Sequence, residues 1–472
     1  MLLPVLAVAL LTAAPPERAP TLKPFIAVDA PITALTHVTV IDGSGAAPLL
    51  DQTVVLSGGK ILSVGPAAKA QIPKDAQVLT LNGATVIPGL VGMHDHLFMM
   101  GRSFKPVIIT QPQTIQNARL YLASGVTTIR TTGTVDPMAD LNLKRLIDTG
   151  KEPGPKVFVT GPYLEGEGGP FLDMLALRGA EDARLSVEYW ASQGATSFKV
   201  YTHITRDELL AVTKAAHAKG LKVTGHLCTV GFKDAVAAGI DNLEHGFFTN
   251  SDLVANRKPE ECPDQLALDR FFATLDVNSP TVKEMFKDLI DHHVAVTSTL
   301  AVFEASYLEE SPPKVLALLS PEAKELALSN KVALGGVRKE VREVLRPAVK
   351  KEMELERAFV AAGGTLLCGS DPTGAGDVLA GLGDHRAIEL LVEAGFTPLE
   401  ALRIATKNGA EFLGELDRVG TIAVGKQADL VVLRGDPTKK ISDLENVELV
   451  FKDGVGFDPV KLIESVRGKV GR

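Results

Sequence analysis

Histidines on short apolar segments are the first residues of this chain that could do chemistry. His94 and His96 are separated by one residue on a predicted strand, so both side chains point to the same face. Two imidazoles on one face make half of a metal site. Such a pair in isolation is about as often a hydrogen-bonded pair of core histidines, so other segments must decide between the two interpretations.

Three further segments end in the same residue types. His226 in VTGHL and His245 in NLEHG each lie near the C-terminal end of a separate predicted strand, and Asp371 in CGSD does so on a later strand. Barrel enzymes carry their active sites at this end of their strands. Each residue alone would more often be structural, but packing does not require such a convergence. We therefore predict one metal centre that contains His94, His96, His226, His245 and Asp371.

Lys199 lies in TSFKVYTH, where strand alternation turns Ser197, Lys199 and Tyr201 toward the interior. A bare ammonium group is costly there unless an anion meets it or replaces it. One interpretation is a salt bridge from Lys199 to Asp371 or to another interior carboxylate. Spacing alone leaves this alternative as good as a role at the metal centre.

The elements that must position these residues alternate between apolar strands and helical segments, which is the rhythm of parallel βα units. Eight strands are the number of a (β/α)₈ TIM-type barrel. Helices are predicted over 205–219 and 397–413, and insertions over 249–290 and 301–363. The predicted strands are VGMHDH, GVTTIRTTG, KVFVTGPY, SFKVYTH, LKVTGHLC, NLEHGFF, VAVTSTL and TLLCGSD.

The two ends of the chain share short strands punctuated by glycine. TVVLSGGKILSVG carries a hairpin signal at Gly58 and Gly59, and RVGTIAVGKQADLVVLRGDP returns to the same pattern after Leu413. We predict that both ends build one small antiparallel β-sandwich domain beside the α/β barrel. The predicted divisions are a signal peptide over 1–14, a linker or arm without regular structure over 15–31, the composite sandwich over 32–86 and 415–472, and the barrel over 87–414.

Composition bounds the class of protein. A chain of 472 residues exceeds the usual size of a single core, and a barrel with insertions plus a small domain fits that length. Hydrophobic residues at 45% and charged residues at 22% are typical of soluble globular proteins. A net charge of −8 without a basic cluster argues against nucleic acid as a partner. Small molecules or short peptides are the expected partners.

The apolar start MLLPVLAVALLTAA is typical of a secretory signal peptide, although it lacks the usual basic residues at its beginning. A short anchor or a mis-assigned start is the alternative. We expect export to the periplasm or the medium, otherwise a cytoplasmic location, and no stable membrane span after signal removal. The three cysteines are odd in number and lack metal-ligand spacing, so no disulfide framework is expected. Cys228 and Cys368 are predicted to be small core residues.

Several of these segments together resemble the amidohydrolase superfamily. They are HDH after PGL, FKVY, GHL, LEHG, GSDP, ATKNGAEFLG and GKQADLVVL. The chain looks most like the imidazolonepropionase-like branch that includes prolidase-like dipeptidases and ochratoxin-amidase-like enzymes, from about Thr33 to Gly454. The resemblance implies that carbon dioxide adds to the Lys199 amine and that the resulting carbamate bridges two divalent metal ions like a carboxylate.

The resemblance also implies roles for the remaining ligands. It predicts a binuclear amidohydrolase in which a hydroxide between the two cations attacks the amide of a dipeptide, an N-acyl amino acid or an ochratoxin-like amide. Asp371 would take up the proton of the nucleophile and pass one to the leaving amine. Zinc is the first expectation for the metal, with manganese, cobalt or iron as tolerated alternatives. The implied ligands are His94, His96 and Asp371 for the more buried ion, His226 and His245 for the more exposed one, and Lys199 for both.

Substrate contacts are predicted beside Lys199. Tyr201 and His203 continue its strand, so Tyr201 would face the site and bind a substrate carbonyl or carboxylate, although a barrel-lining aromatic is equally compatible with its position. Tyr163, in the glycine-rich GPYLEGEGG segment, is a third candidate. His385 is predicted to be structural.

Other functions stay open at this stage. A mononuclear deaminase or cyclic-amide hydrolase, a lactonase, a phosphoesterase and an inactive scaffold of the same fold are the alternatives. The chain contains no G-x-x-x-x-G-K-[ST], H-E-x-x-H or G-x-S-x-G motif, which disfavours the chemistries that depend on them. A homo-oligomer is expected.

Overall fold

Twenty strands form the two main sheets and a small hairpin in the computed structural model, which describes residues 17–104, 107–169, 171–254, 257–333, 335–373 and 377–472. In chain order they are β1 (Ile26–Val28), β2 (Ile32–Val40), β3 (Leu49–Ser57), β4 (Lys60–Pro66), β5 (Gln77–Thr80), β6 (Ala84–Pro88), β7 (Leu90–Asp95), β8 (Phe98–Phe104), β9 (Val107–Pro112), β10 (Val126–Thr131), β11 (Lys156–Glu165), β12 (Leu175–Ala176), β13 (Ser197–Val200), β14 (Lys222–Gly225), β15 (Asn242–Glu244), β16 (Ala295–Ser298), β17 (Leu366–Cys368), β18 (Leu430–Arg434), β19 (Val447–Lys452) and β20 (Val455–Phe457).

Helices follow most barrel strands and fill the insertions. They are α1 (Thr114–Ala123), α2 (Pro137–Asp148), α3 (Ala180–Gln193), α4 (Arg206–His217), α5 (Phe232–Ala237), α6 (Gln265–Phe272), α7 (Pro280–Asp291), α8 (Leu300–Tyr307), α9 (Pro313–Leu316), α10 (Pro321–Ala333), α11 (Gly335–Ala361), α12 (Leu382–Glu393), α13 (Pro398–Arg403), α14 (Gly409–Phe412) and α15 (Pro459–Val466). Short 3-10 turns occupy Lys23–Phe25, Ala67–Lys69, Ser251–Leu253 and Ile441–Glu445, and a π-helix spans Ile404–Asn408.

Eight parallel strands form a nearly closed barrel in the order β7, β10, β11, β13, β14, β15, β16 and β17. The last strand returns to the first, because the amides of Ser370 and Asp371 donate to the carbonyl of His94 over 3.2 and 2.9 Å. All eight predicted barrel strands are confirmed. Apolar side chains between the strands and the surrounding helices form the largest core cluster.

Helix starts in the barrel follow local capping rules. Thr205 begins α4 with a capping box to Glu208, and Thr397 begins α13 with the same arrangement to Glu400. The helix predicted over 397–413 is present, and it runs through the π-helix before α14. The predicted insertion at 301–363 contains α8 to α11, and the longest of these, α11, packs on α8 and α6.

Both chain ends build one nine-stranded sheet, in the order β1, β20, β19, β18, β6, β2, β3 and β4, with β5 also paired to β2. Gly58 and Gly59 form the predicted hairpin between β3 and β4, and their φ angles of 57° and 78° require a turn that glycine adopts without strain. The prediction of a purely antiparallel sheet is wrong. Both β5 and β6 run parallel to β2, because the chain crosses over after β4 instead of forming another hairpin.

The segment predicted to be an arm without regular structure contains regular elements. Its end contains the 3-10 turn Lys23–Phe25 and β1, which pairs antiparallel with β20. Phe25 is buried against the core, and that apolar contact explains why the Pro-rich composition did not prevent a regular element. The predicted signal peptide lies outside the described residues. Among the residues described, no helix combines the length and the apolarity needed to cross a membrane.

Two of the cysteines form a disulfide, so the prediction that none would form is wrong. Cys228 follows β14 and Cys262 lies in the segment before α6, with their Cα atoms 5.1 Å apart. That segment folds back across the loop after β14, where Arg257 donates to the carbonyl of Thr229 over 2.6 Å. The two cysteines are 34 residues apart, and no sequence pattern indicated that the chain would fold back to join them. Cys228 is therefore a half-buried cross-link rather than a core thiol, whereas Cys368 is a buried free cysteine.

Candidate metal centre

The first two histidines lie at the C-terminal end of β7, as the alternation predicted. The Nε2 atom of His96 is 3.1 Å from Oδ1 of Asp371, and Nε2 of His94 is 3.7 Å from the same oxygen. Both histidines are almost completely buried. The closure of β17 on β7 therefore brings Asp371 directly to the imidazoles of the first strand.

The remaining candidates come from β13, β14 and β15. The Lys199 Nζ atom is 3.3 Å from Nε2 of His94. The His245 ring lies 4.6 Å from the His94 ring and 4.3 Å from the His226 ring, measured between centroids. Ligand atoms of His94, His245 and Asp371 all lie within 4.8 Å of one another. All six predicted ligands thus meet at one end of the barrel.

The four imidazoles are held in the form that binds metal. Burial lowers the pKa of His94 to about 4 and that of His226 to about 3. Burial also lowers the pKa of His96, and it lowers that of His245 well below the usual range. Neutral imidazoles beside an ionised carboxylate are the donor set that Zn²⁺ and similar divalent ions prefer. The donor chemistry therefore fits a metal centre.

Asp371 supplies the anion in this cluster. Burial opposes its ionisation, but His94 and His96 beside it hold the pKa of Asp371 well below its usual range. Its backbone has a φ angle of 49°, in the left-handed region that non-glycine residues rarely adopt. Thr373 donates to Oδ1 over 3.1 Å and its amide donates to the Asp371 carbonyl, which supports this strained position.

Lys199 is buried among these groups. Its ammonium has no carboxylate within salt-bridge distance in the described part of the chain, and its Nζ atom lies 5.2 Å from the ring centre of Tyr163. Burial lowers the pKa of Lys199 to about 8, in spite of Glu244 and Asp371 nearby. The direct salt bridge to Asp371 that the sequence left open is therefore not formed. A lowered pKa leaves part of the amine unprotonated, which is the form that reacts with carbon dioxide.

A buried ion-pair network orients His94 from behind. His94 Nδ1 donates to Oε2 of Glu244 over 2.7 Å, and Arg130 donates to Oε1 of the same carboxylate over 2.7 Å. Thr224 also donates to Glu244. Burial opposes ionisation of Glu244, but Arg130 and His94 hold its pKa below the usual range. This arrangement leaves the Nε2 atom of His94 to face the cluster.

His96 is oriented by main-chain and phenol contacts. Its Nδ1 atom donates to the carbonyl of Gly133 over 3.2 Å, which again leaves Nε2 toward Asp371. The Tyr121 hydroxyl accepts from the His96 amide over 3.1 Å. Both first-strand histidines are therefore fixed as the same tautomer, with Nδ1 protonated.

The predicted substrate residues lie around the cluster, with one correction. The strand carrying Lys199 ends at Val200, so Tyr201 and His203 lie in a loop and do not continue it. The loop bends because Glu165, at the end of β11, accepts from the His203 amide over 2.6 Å and from Thr202 over 3.0 Å. The Tyr201 ring still lies 4.8 Å from the ring of His226. His203 is half-buried and its Nδ1 is 3.5 Å from Glu165.

Tyr163 lies within β11, directly beside the cluster. Its hydroxyl is 3.5 Å from Nε2 of His96, and its ring packs at 77° against the Tyr201 ring. Tyr163 is buried, whereas Tyr201 is partly exposed. His385 lies apart from these rings, on α12, where its Nε2 donates to the Ser124 carbonyl over 2.7 Å, as a structural histidine would.

The sequence interpretation missed the residues that orient the ligands. Arg130 stands inside the apolar strand β10, and a charge at an inward position of a buried strand is a signal that alternation could have found. Glu244 directly precedes His245 in the chain, but its carboxylate contacts His94. This contact is seen only once the barrel is closed. Thr299 carried no signal, because its contact to His245 joins two different strand ends.

Comparison with known sequences identifies one family over most of the chain. The sequence profile of the amidohydrolase family matches residues 85–456. A dihydroorotase of Anaeromyxobacter dehalogenans is 31% identical over 136 residues, which are 28% of this chain and 29% of that relative. The matched stretch is thus less than a third of the relative's length.

Solved structures match almost the whole chain. A candidate prolidase from Bifidobacterium longum is 27% identical with a TM-score of 0.65, and the match covers 90% of this chain and 94% of that one. A Xaa-Pro dipeptidase with methionine bound in its active site has a TM-score of 0.67 at 22% identity, with 90% of this chain and 100% of that one covered. The second likeness concerns the fold.

Proposed function

Because the chain belongs to the amidohydrolase family and is a hydrolase of carbon–nitrogen bonds, we propose that it cleaves the amide of a dipeptide, an N-acyl amino acid or an ochratoxin-like amide at a binuclear metal centre. The proposed ligands are His94, His96 and Asp371 for the more buried ion, His226 and His245 for the more exposed one, and carbamylated Lys199 for both. Zinc is the proposed metal.

One observation carries this proposal: a buried lysine amine stands 3.3 Å from a histidine nitrogen that is otherwise poised to bind metal. In a mononuclear site, an ammonium group at that position would only repel the metal cation. A carbamate on Lys199 would reverse the sign of the charge and join both halves of the ligand set. The structural match to a candidate prolidase supports a substrate whose amide lies next to a free carboxylate.

Side chains around the metal centre have separate roles in the proposed hydrolysis. Bound divalent ions would supply Lewis acidity that activates water and polarises the amide carbonyl. Asp371 is ionised, so its carboxylate accepts the proton released by the nucleophile and donates it to the leaving amine. Glu244 and Gly133 hold His94 and His96 in one tautomer throughout.

Substrate contacts are assigned to the aromatic side of the centre. The hydroxyls of Tyr163 and Tyr201 would donate to the substrate carbonyl or carboxylate, since burial raises the pKa of both phenols and keeps them protonated. His203, which is half-buried beside Glu165, is the third proposed substrate contact. Tyr201 and Tyr163 therefore serve orientation, and their loss would raise KM more than it lowers kcat.

Hydrolysis of a cyclic amide is a second candidate. The stretch that matches a dihydroorotase favours it, although that stretch is a minor part of either chain. We further propose that the protein is exported and forms a homo-oligomer. The Cys228–Cys262 disulfide supports export, because such bonds persist in oxidising compartments. Exposed Leu185 and Tyr189 on α3 support an interface between copies.

The test measures metal content and activity together. Wild type, Lys199→Ala and the surface control Lys219→Ala are analysed for bound metal per chain and assayed on dipeptides, N-acyl amino acids and cyclic amides. We expect about two ions per chain in wild type and the control, and loss of metal and amidase activity in Lys199→Ala. One ion, or none, with activity indifferent to Lys199 would replace this proposal with a mononuclear hydrolase or an inactive scaffold.

A further inference from the structure

The backbone turn at His245 is unusual for a ligand position. His245 and Gly246 both have left-handed φ angles, of 66° and 63°. The turn redirects the chain away from β15 as soon as Glu244 ends the strand. A histidine in this region stores strain, which persists only where neighbouring groups fix the backbone. The direction of the His245 ring therefore depends on what holds this turn.

Glu352 of helix α11 holds the turn from behind. Its Oε1 atom accepts from the amide of Phe247 over 2.9 Å. The contact is so close that a Cβ atom on Gly246 would lie 1.7 Å from the same oxygen. The Gly246 amide donates to the Thr297 carbonyl, and Nδ1 of His245 is 2.9 Å from Oγ1 of Thr299. Strand β16 and helix α11 thus clamp the turn from two sides.

Burying an ionised glutamate costs free energy, and the surroundings of Glu352 show how the protein accommodates it. Glu356 stands one helical turn further along α11, and both side chains are buried. Oε2 of Glu352 and both oxygens of Glu356 have no donor in the described part of the chain. Two ionised carboxylates so close together in a buried site are unfavourable, which favours protonation of one of them. Burial and the neighbouring Glu356 accordingly raise the pKa of Glu352 well above its usual range.

We propose that Glu352 is a positioning residue for His245: it accepts from the Phe247 amide and so fixes the turn that aims this imidazole at the more exposed metal. The inference rests on the proposed binuclear function of the same site. Glu356 lies beside this carboxyl as its buried partner.

The test follows the metal rather than turnover. Glu352→Leu removes the acceptor, Glu352→Asp withdraws it by one methylene, and Glu352→Gln retains an acceptor oxygen. Glu354→Leu is the matched control, because Glu354 is exposed on the same helix and pairs with Lys351. Each variant is loaded with cobalt(II), and its visible absorption spectrum and its affinity in competition with a chelator are recorded.

We expect the Leu and Asp variants to bind one cobalt equivalent roughly 10- to 100-fold more weakly and to show an altered spectrum. The Gln and Glu354→Leu variants should match wild type in both measurements. Wild-type spectrum and affinity in Glu352→Asp, or equal losses in the Gln and Leu variants, would overturn the positioning role. Should Glu352→Leu fail to fold, the Asp and Gln pair still decides. Failure of the proposed function is distinct, since wild type itself would then not bind two ions.

Discussion

Two halves of the candidate centre are held in different ways. His94 and Lys199 lie inside the strands β7 and β13, where alternation alone sets the direction of a side chain. His245 and Asp371 lie just beyond β15 and β17, at left-handed backbone positions. The first pair is strand-held and the second is turn-held.

The helpers of the two halves differ accordingly. The strand-held His94 is oriented by Glu244 and Arg130, which come from neighbouring barrel strands. The turn-held His245 is oriented by Thr299 after β16 and by Glu352 from an inserted helix. Barrel strands therefore supply the helpers of His94, whereas those of His245 come from the loop after β16 and from an inserted helix. Substitutions of the helpers should separate the two halves.

Arg130→Met should have the largest effect, on the strand-held half. It leaves the Glu244 carboxylate buried without its guanidinium, and breaking a buried pair in this way costs roughly 3–5 kcal/mol of unfolding free energy. Urea unfolding measures the loss, and the control Arg184→Met, on the exposed face of α3, should leave the unfolding free energy essentially unchanged. A loss below 1 kcal/mol for Arg130→Met would show that the network is dispensable.

His385 is a buried histidine outside the metal centre, and the pH dependence of stability tests its protonation state. Burial lowers the pKa of His385 to about 4, so its contribution to stability is complete above pH 6.5 and is lost as the pH falls toward 4. His385→Gln keeps a donor for the Ser124 carbonyl without titrating. Between these pH values the wild type should lose about 3 kcal/mol more unfolding free energy than the variant. Identical pH profiles would contradict a neutral buried His385.

Glu244→Gln should weaken binding of the more buried ion, to which the strand-held His94 is assigned, by about 10- to 100-fold. The amide still accepts from His94, but it no longer offsets the charge of Arg130. Chelator competition measures the affinity of each ion. If both ions are weakened equally, the two halves are not independent.

Thr299→Val should have the smallest effect, on the turn-held half. It removes a single neutral hydrogen-bond partner of His245, which corresponds to roughly tenfold or less in affinity. The same chelator titration applies, and the affected ion should be the one that survives in Glu244→Gln. Weakening of the opposite ion would reverse the assignment of His245.

This division also explains what could be predicted from the sequence. Each of the eight barrel strands and the meeting of His94, His96 and Asp371 followed from alternation and strand ends. The helpers Thr299 and Glu352 could not be predicted, because their contacts join segments far apart in the chain. The loop at Tyr201 was mistaken for strand because its bend is imposed by Glu165 from β11.

Outside the barrel, composition was a poorer guide than packing. The Pro-rich start was expected to be irregular, yet Phe25 buries itself and β1 completes the sheet. The crossover that makes β5 parallel to β2 depends on tertiary pairing and leaves no mark on the hydrophobic pattern. A capping box, in contrast, needs only four adjacent residues, and one lies at the start of each predicted helix, at Thr205 and at Thr397.

The disulfide has a topological consequence. Residues 228–262 form a covalent ring, and His245 lies inside it. A tryptic cut after the exposed Lys258 opens the peptide chain within the ring, yet the two fragments stay joined through sulfur. The nicked protein would therefore run as one band without reductant and as two bands with it. A single cut within this ring therefore cannot detach His245 covalently from the rest of the molecule.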